Sequence, residues 1–550
     1  MPNAIRPVLA AICLVGTAAH AQVQAPFDVV IRHARIIDGT GNPWYRGDVA
    51  IRGDRIAAIG SIHGTAKRTI EANDRVLTPG FIDLMGTSST PHLTEPSAAA
   101  SRLYQGITTA LIGEGGSEAP QNDETIGDGL LVRGRHVKWR TFAEYFALLD
   151  RAGVPMNVVH NVGAAQVRQV AMGVQDTRPT PEQMARMKGL VEQAMQDGAV
   201  GISTALIYPP GTYATTEELI ELSKVAAAYG GVYFSHMRNE SAGVLDAIRE
   251  VIRIGEEAKI PVHIYHLKAA GQENWPLMAQ AIALIEQARG RGVEITADIY
   301  PYIRNGIGLG SFLHPRHYAR GDAPFLATLG DSAVRRELRQ ETESTRDWEN
   351  WYRHVGMNWD NVLITDVGGK NDKSYVGLSV HGVAQKRGID DWNAFFDLVK
   401  DGAVDVAPKS MNEEQKWLAF KAPFVAVDVD SPLADPRTAP SAHPRAFGTF
   451  PRVIAKYVRQ DSALTLVDAI RRMTSLPANI LRLPDRGRIA VGMKADLLVF
   501  DPDKIQDNAT FEKPLQYSTG VDYMLVNGVP VIADGKLTGA RPGTVIRHRR

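Results

Sequence analysis

Apolar and polar positions along this chain follow three different rhythms. Near the start, "DVVIRHARIIDG", "GDVAIRG" and "DRIAAIG" are short β-rich runs punctuated by Gly/Asp turns such as Gly53-Asp54. The far end repeats that rhythm in "GRIAVGMKADLLVFDP" and "DYMLVNGVPVIADGK", where Asn527-Gly528 between apolar runs predicts a hairpin. Two β-rich ends around a different middle predict one small β domain assembled from both termini.

The middle alternates short apolar runs with amphipathic helices. The runs fall at "RVLTPGFIDLM", "GITTALIG", "MNVVHNV", "GAVGIST", "GVYFSH", "PVHIYH", "VEITADI" and "FVAVDVD". Thr215-Thr216-Glu217-Glu218 reads as a capping box opening one helix. Val244, Leu245, Ile248, Val251 and Ile252 form the apolar stripe of the next. Repeated β-α units with eight candidate strands predict an α/β fold, a (β/α)8 TIM-like barrel with its helices outside. Two further runs, "NVLITDV" and "VDVAP", fall inside a long insertion around 303–422.

Composition narrows the picture. With 44% hydrophobic and 22% charged residues over 550 positions, the chain is of ordinary globular type. A formal charge of +0 and the lack of a dense Lys/Arg run argue against a nucleic-acid partner. Arg6, the apolar run "PVLAAICLVGTAA" and an Ala19-His20-Ala21 site predict a signal peptide over 1–21, too short for a membrane span. The expectation is an exported protein, periplasmic or secreted, with no membrane span in the mature chain. The single cysteine, Cys13, lies in that leader. Any metal site in the mature chain must therefore be built from His and carboxylates.

In a barrel of this kind chemistry gathers where strands end. Two consecutive candidate strands finish at His236 and His266, each with a basic residue within two positions. Converging neutral imidazoles are what Zn2+ requires. Asp430 in "FVAVDVDS" ends the last strand, and its bland reading is a turn aspartate beside Asp428 and Asp435. Glu114 in "ALIGEGGSE" follows the second strand in a Gly-rich turn, where backbone and side chain can approach a ligand closely.

Long, specific segments now carry a resemblance: "TPGFID", "GAVGISTALIYPPGTYATTEEL", "YFSHMRNE", "HLKAAG", "DIYPY", "HPRAFGTFPRV", "MTSLPANILRL" and "GRIAVGMKADLLVFDP". The chain resembles the amidohydrolase superfamily, and within it the N-acyl-D-amino-acid deacylases. The resemblance implies a barrel over 78–485 and a small β-sandwich from both chain ends, 22–77 and 486–550. It implies that His236 and His266 hold the tight metal, that Asp430 activates the attacking water, and that Lys268, Arg445 and Tyr300 or Tyr302 bind the substrate carboxylate.

The departures are as telling. The family's His-x-His after the first strand falls on Met85 and Thr87, which cannot replace two imidazoles. Its cysteine ligand falls on Gly115, with Glu114 one position earlier, and its histidine after the third strand falls on Ala164 or Ala165, leaving nearby His160 structural. What remains is Glu114, His236 and His266, a His2Glu set suited to one divalent ion, zinc first. The expectation is a single-metal amide hydrolase acting on an N-acyl (D-)amino acid or small peptide-like substrate with a free carboxylate, the insertion serving as a lid. Two rivals stand beside it: the same machinery on a lactone, cyclic amide or dipeptide, and a degenerate barrel that binds a small molecule without catalysis.

Overall fold

The computed structural model describes residues 26–346, 348–439 and 442–548. The expected leader, 1–21, lies outside the described residues. All eight middle runs form strands: β1 Phe81–Gly86, β2 Ile107–Ile112, β3 Asn157–His160, β4 Gly201–Ala205, β5 Val232–His236, β6 Val262–Ile264, β7 Ile295–Ile299 and β8 Val425–Val427. Their positions are nearly all buried, as those of strands covered on both faces must be.

Each run pairs in parallel with its sequence neighbour, in one ladder of β1 to β3 and another from β4 to β8. The two ladders touch at both ends. The Val200 N–H donates to the His160 carbonyl at 2.8 Å, and Val162-Gly163, just past β3, pairs with β4. On the other side, the Asp430 N–H donates to the Met85 carbonyl at 3.1 Å beside a parallel bridge from Gly86 to Ser431.

Helices fill the crossovers. The stripe of Val244, Ile248, Val251 and Ile252 is buried on helix Val244–Ala258, with Leu245 at its margin. The capping box at Thr215 is half formed: the Thr215 hydroxyl accepts from the Glu218 N–H at 3.2 Å, but the Glu218 carboxylate turns inward. It pairs with the buried Arg168 guanidinium, both oxygens at 2.8 Å from one nitrogen. A buried cation outcompetes the helix start for that carboxylate.

The chain ends form one nine-stranded sheet. Leu497–Phe500 runs antiparallel to Val76–Pro79 and so joins C-terminal to N-terminal strands. The predicted hairpin is present, Val521–Val526 turning into Val529–Ala533, with positive φ at both Asn527 and Gly528. "NVLITDV" and "VDVAP" do not belong with β1–β8. They pair antiparallel as Val362–Val367 and Val404–Pro408, with Ile307-Gly308 on the edge, inside the insertion between β7 and β8. That insertion has its own aromatic core of Phe312, Trp351, Trp359, Trp392, Phe395 and Phe396. Among the described residues no helix is long and apolar enough to cross a membrane.

Candidate metal centre

The C-terminal ends of the parallel strands carry the site. The loop after β2 reads Gly113-Glu114-Gly115-Gly116, with φ of +106° and +69° at Gly113 and Gly115. The Gly116 N–H closes the turn onto the Glu114 carbonyl at 2.7 Å. A Cβ at Gly115 would stand 2.6 Å from the Ala205 nitrogen and 2.7 Å from its Cβ. Only glycine fits there, so this loop offers its side chain from position 114.

Glu114 Oε1 lies 2.5 Å from His236 Nδ1 and 3.3 Å from His266 Nε2. The imidazole rings are 4.4 Å apart between centroids and nearly perpendicular. Among the described residues this triple is the one His/carboxylate group whose ligand atoms all lie within 4.8 Å of one another. Burial works against the Glu114 charge, but the two histidines outweigh it and hold its carboxyl at about 2. A carboxylate that stays ionised and two imidazoles aimed at one point make a donor set that fits Zn2+. At the end of β1, where the His-x-His of the resemblance would begin, Met85 is fully buried in an apolar cluster with Leu84, Leu111 and Tyr265.

Behind the triple stands Glu240, a residue the sequence reading missed although it closes "YFSHMRNE". Its Oε1 is 2.8 Å from His266 Nδ1, and its Oε2 is 3.7 Å from His236 Nε2. One carboxylate thus stands behind both rings, and its close contact with Nδ1 of His266 leaves Nε2 of that ring facing Glu114. Although buried, Glu240 is held well below the usual carboxylate range by Lys268, His266 and His236. Lys268 donates to Glu240 Oε1 at 2.6 Å and to the His266 carbonyl at 3.0 Å, with His266 Nδ1 at 2.7 Å. Two of its donors are engaged within the protein, on Glu240 and on the His266 carbonyl, so it works on the histidine side of the site. Burial and Lys268 press the His266 proton off, yet Glu240, Asp430 and Glu114 more than reverse this, to about 10.

Asp430 sits on the β8 side, 2.6 Å from the Arg445 guanidinium. Its burial raises its pKa above the ordinary aspartate value, with Arg445 pulling the other way. Both Asp430 and His266 adopt positive φ, +50° and +39°, a strained backbone for residues with a Cβ and one that clusters at functional sites. The surrounding structure enforces it. Asp83 Oδ1 accepts from the Met85 and Val429 N–H groups at 3.1 and 2.9 Å, tying β1 to β8, and Asp298 accepts from the His266 N–H.

Tyr300 lies with its ring 4.7 Å from the Arg445 guanidinium and 5.8 Å from Lys268 Nζ, and its buried hydroxyl has no hydrogen-bond partner among the described residues. Tyr302 points elsewhere, its hydroxyl 3.5 Å from the Pro444 carbonyl and its ring against Arg452 and His443. Of the two tyrosines, Tyr300 is brought to the site. His160 is structural as expected: it meets Ser89 Oγ at 2.8 Å, packs on Phe146, and is pushed by burial down to about 3. Three more neighbours went unread: Tyr208, edge-on to His236 at 5.5 Å; Glu349, accepting from the Glu240 N–H at 3.3 Å; and buried Lys416, 4.7 Å above Tyr300. Glu349 comes from the insertion, and no local pattern announces it.

Comparison with known proteins gives a consistent picture. Residues 434–532 match the amidohydrolase family. An N-acyl-D-glutamate deacylase of Alcaligenes xylosoxydans xylosoxydans is 33% identical over 96% of this chain and 98% of its own. A D-aminoacylase of the same organism is 33% identical over 95% and 98%. Among solved structures, an N-acyl-D-glutamate deacylase from Bordetella bronchiseptica, complexed with zinc and a phosphonate mimic of the tetrahedral intermediate, superposes with a TM-score of 0.80. It is 31% identical, with 95% of this chain and 100% of that one covered. A D-aminoacylase described for one-metal activation and second-metal attenuation at its binuclear centre gives 0.79 at 30% identity, with the same coverage.

Proposed function

The chain belongs to the amidohydrolase family, among the N-acyl-D-amino-acid deacylases, and on that premise we propose that it hydrolyses the amide of N-acyl (D-)amino acids at a single-metal site. The observation that carries this is the convergence of Glu114, His236 and His266, with Asp430 at the neighbouring strand end. Those three residues would hold one divalent ion, zinc first. When bound, the ion supplies Lewis acidity toward the carbonyl and water made nucleophilic near neutral pH.

The chain's own groups do the rest. Arg445 and the Tyr300 hydroxyl receive the substrate carboxylate, while Lys268 and Glu240 keep the His266 imidazole oriented. Tyr302 supports that wall through Pro444. Asp430, its pKa raised by burial, takes the proton of the attacking water and returns it to the leaving nitrogen. In the free enzyme Arg445 is paired with Asp430, so an arriving carboxylate competes for the guanidinium and frees Asp430 for proton transfer.

The pairings between the two ladders support closure of β1–β8 into a (β/α)8 barrel over 78–485, with the insertion around 303–422 as a lid and a β-sandwich from 22–77 and 486–550. Arg6, the apolar run after it and Ala19-His20-Ala21 support export to the periplasm or medium, with Gln22 as the mature first residue.

The test is elemental analysis of the purified mature protein beside hydrolysis of N-acyl-D-amino acids before and after chelation. About one zinc per chain, with activity lost on chelation and regained with zinc, is the expected result. Asp430→Asn should keep the metal and lower kcat by about 10²- to 10⁴-fold. Activity untouched by that substitution would remove Asp430 from the mechanism.

A further inference from the structure

Among the described residues seven Lys and Arg side chains are buried, and six of them meet a carboxylate at ion-pair distance. The seventh, Lys416, does not. It is fully buried on helix Glu413–Lys421, its amine 3.1 Å from Met411 Sδ and 4.7 Å from the centroid of the Tyr300 ring. A thioether and a ring face are weak partners, so this ammonium is held at a cost the protein does not recover within itself.

The charged groups around Lys416 leave it unanswered. Burial, Asp298 and Asp430 push the Asp428 carboxyl well up, which favours its neutral form. Glu413, one helical turn earlier, accepts from the Tyr457 hydroxyl at 2.7 Å and faces Lys456 at 3.9 Å. Burial and Arg445 press the proton off His443. Lys268 and Arg445 only add positive charge, and each already has its own carboxylate, Glu240 and Asp430.

Tyr300 joins this charge to the site. The Lys416 amine and the Arg445 guanidinium each stand 4.7 Å from its ring centroid. Burial keeps the Tyr300 hydroxyl protonated, and cations over the ring make it a stronger donor to an anion. Resting on the deacylase reading, we propose that Lys416 is a positioning residue for carboxylate recognition. Its charge, left without a counter-ion by the protein, is answered by the substrate carboxylate at Arg445 and Tyr300, and it favours ionised acids over neutral carboxamides. Lys416 acts through the Tyr300 ring rather than on the reacting atoms.

The experiment compares N-acetyl-D-leucine with N-acetyl-D-leucinamide, which differ only at the carboxylate, on the zinc-loaded mature enzyme from about pH 6 to about pH 9. Wild type, Lys416→Met and Lys416→Arg are read by the acid-to-amide ratio of kcat/KM, in which steps common to both substrates cancel. Unit charges about 7 Å apart at an effective dielectric of about 20 account for a change on the order of fiftyfold. Lys416→Met should therefore lower the ratio at about pH 6 at least about tenfold, through KM for the acid rather than through kcat. Burial and Lys268 hold Lys416 at about 7, and kcat/KM reports the free enzyme, so the wild-type ratio should fall as pH rises through that value. Lys416→Arg, charged throughout, should keep a high ratio to about pH 9. A purely structural lysine would change both substrates alike and leave the ratio where it was. A Lys416→Met ratio that matches the wild type in size and pH dependence overturns the proposal. Should Lys416→Met fold poorly, Lys416→Arg decides, and a ratio that still falls with pH as in the wild type overturns it. Hydrolysis of neither substrate overturns the deacylase reading, and this proposal with it.

Discussion

Gly115→Cys tests whether the third ligand has to come from position 114. The substitution installs a thiol where the deacylase pattern places one, leaving Glu114 in place. The backbone at Gly115 has φ +69°, which costs a residue with a Cβ about 1–2 kcal/mol. Its new Cβ would also press on the Ala205 nitrogen at 2.6 Å and Ala205 Cβ at 2.7 Å, where β4 is held by β5. Backbone atoms of a central strand cannot swing aside as a side-chain tip can, so overpacking adds about 1–3 kcal/mol. The sum is a loss of about 2–5 kcal/mol.

Denaturant unfolding of the metal-free protein reads this as a lower midpoint, with zinc content after dialysis against a weak chelator measured alongside. Glu114→Ala and the double variant Glu114→Ala/Gly115→Cys complete the set. Glu114→Ala removes the only anionic ligand, and its zinc affinity should fall by about a hundredfold or more, beyond the loss of an outer partner. The double variant should not recover it, because Ala205 bars the thiol from settling. If Gly115→Cys unfolds with the wild type, or the double variant holds zinc as the wild type does, the loop argument is wrong and Glu114 is one choice among equals.

Glu240→Gln should weaken zinc binding about 10- to 100-fold with the fold intact, since it loosens the partner behind both imidazoles; unchanged affinity by competition with a chelator would refute that role. Glu218→Ala strands the buried Arg168 guanidinium and should cost about 3–5 kcal/mol in denaturant unfolding, whereas loss of a helix cap alone would cost about 1. Lys416 is held at about 7 by burial and by Lys268, while the unfolded chain keeps that proton to about 10.4. The unfolded state therefore binds more protons between those values, native stability rises with pH across that window, and the cost is fully present below it. Lys416→Met should be most stabilising below pH 7 and lose its advantage toward pH 10; an advantage independent of pH would refute this.

The eight parallel strands were legible because each is a short apolar run bounded by turn residues, and the two terminal regions because their alternation and Asn-Gly turn are local signals. His236, His266 and Asp430 were legible for a related reason: a polar residue directly after an apolar run marks a strand end. Glu240, Glu349 and Lys416 carry no such mark. Each gains its role from a contact across the fold, Glu240 by reaching back over two strand ends and Glu349 by arriving from the insertion. The half-formed cap at Thr215 teaches the same lesson in reverse. The local pattern is right for a capping box, but a buried guanidinium out of sequence view takes the carboxylate.

The shift from 115 to 114 shows how far a residue pattern can be read before geometry is needed. In sequence, the glutamate looks like a displaced ligand, because "GEGG" gives no reason why one position should serve better than the other. The structure supplies one. Gly115 is pinned against β4 with its N–H donating to Ser203 Oγ and its carbonyl accepting from the Ala165 N–H, so the loop presents backbone at that point and nothing else can be attached there. A carboxylate from the preceding residue, longer than a thiol by two atoms, spans the added distance to both imidazoles. With Met85 sealed into apolar packing where an imidazole would have to emerge, that loop supplies the charged ligand of the triple found among the described residues. Site and scaffold are thus mutually dependent: the glycine that excludes a thiol is the reason a glutamate is required.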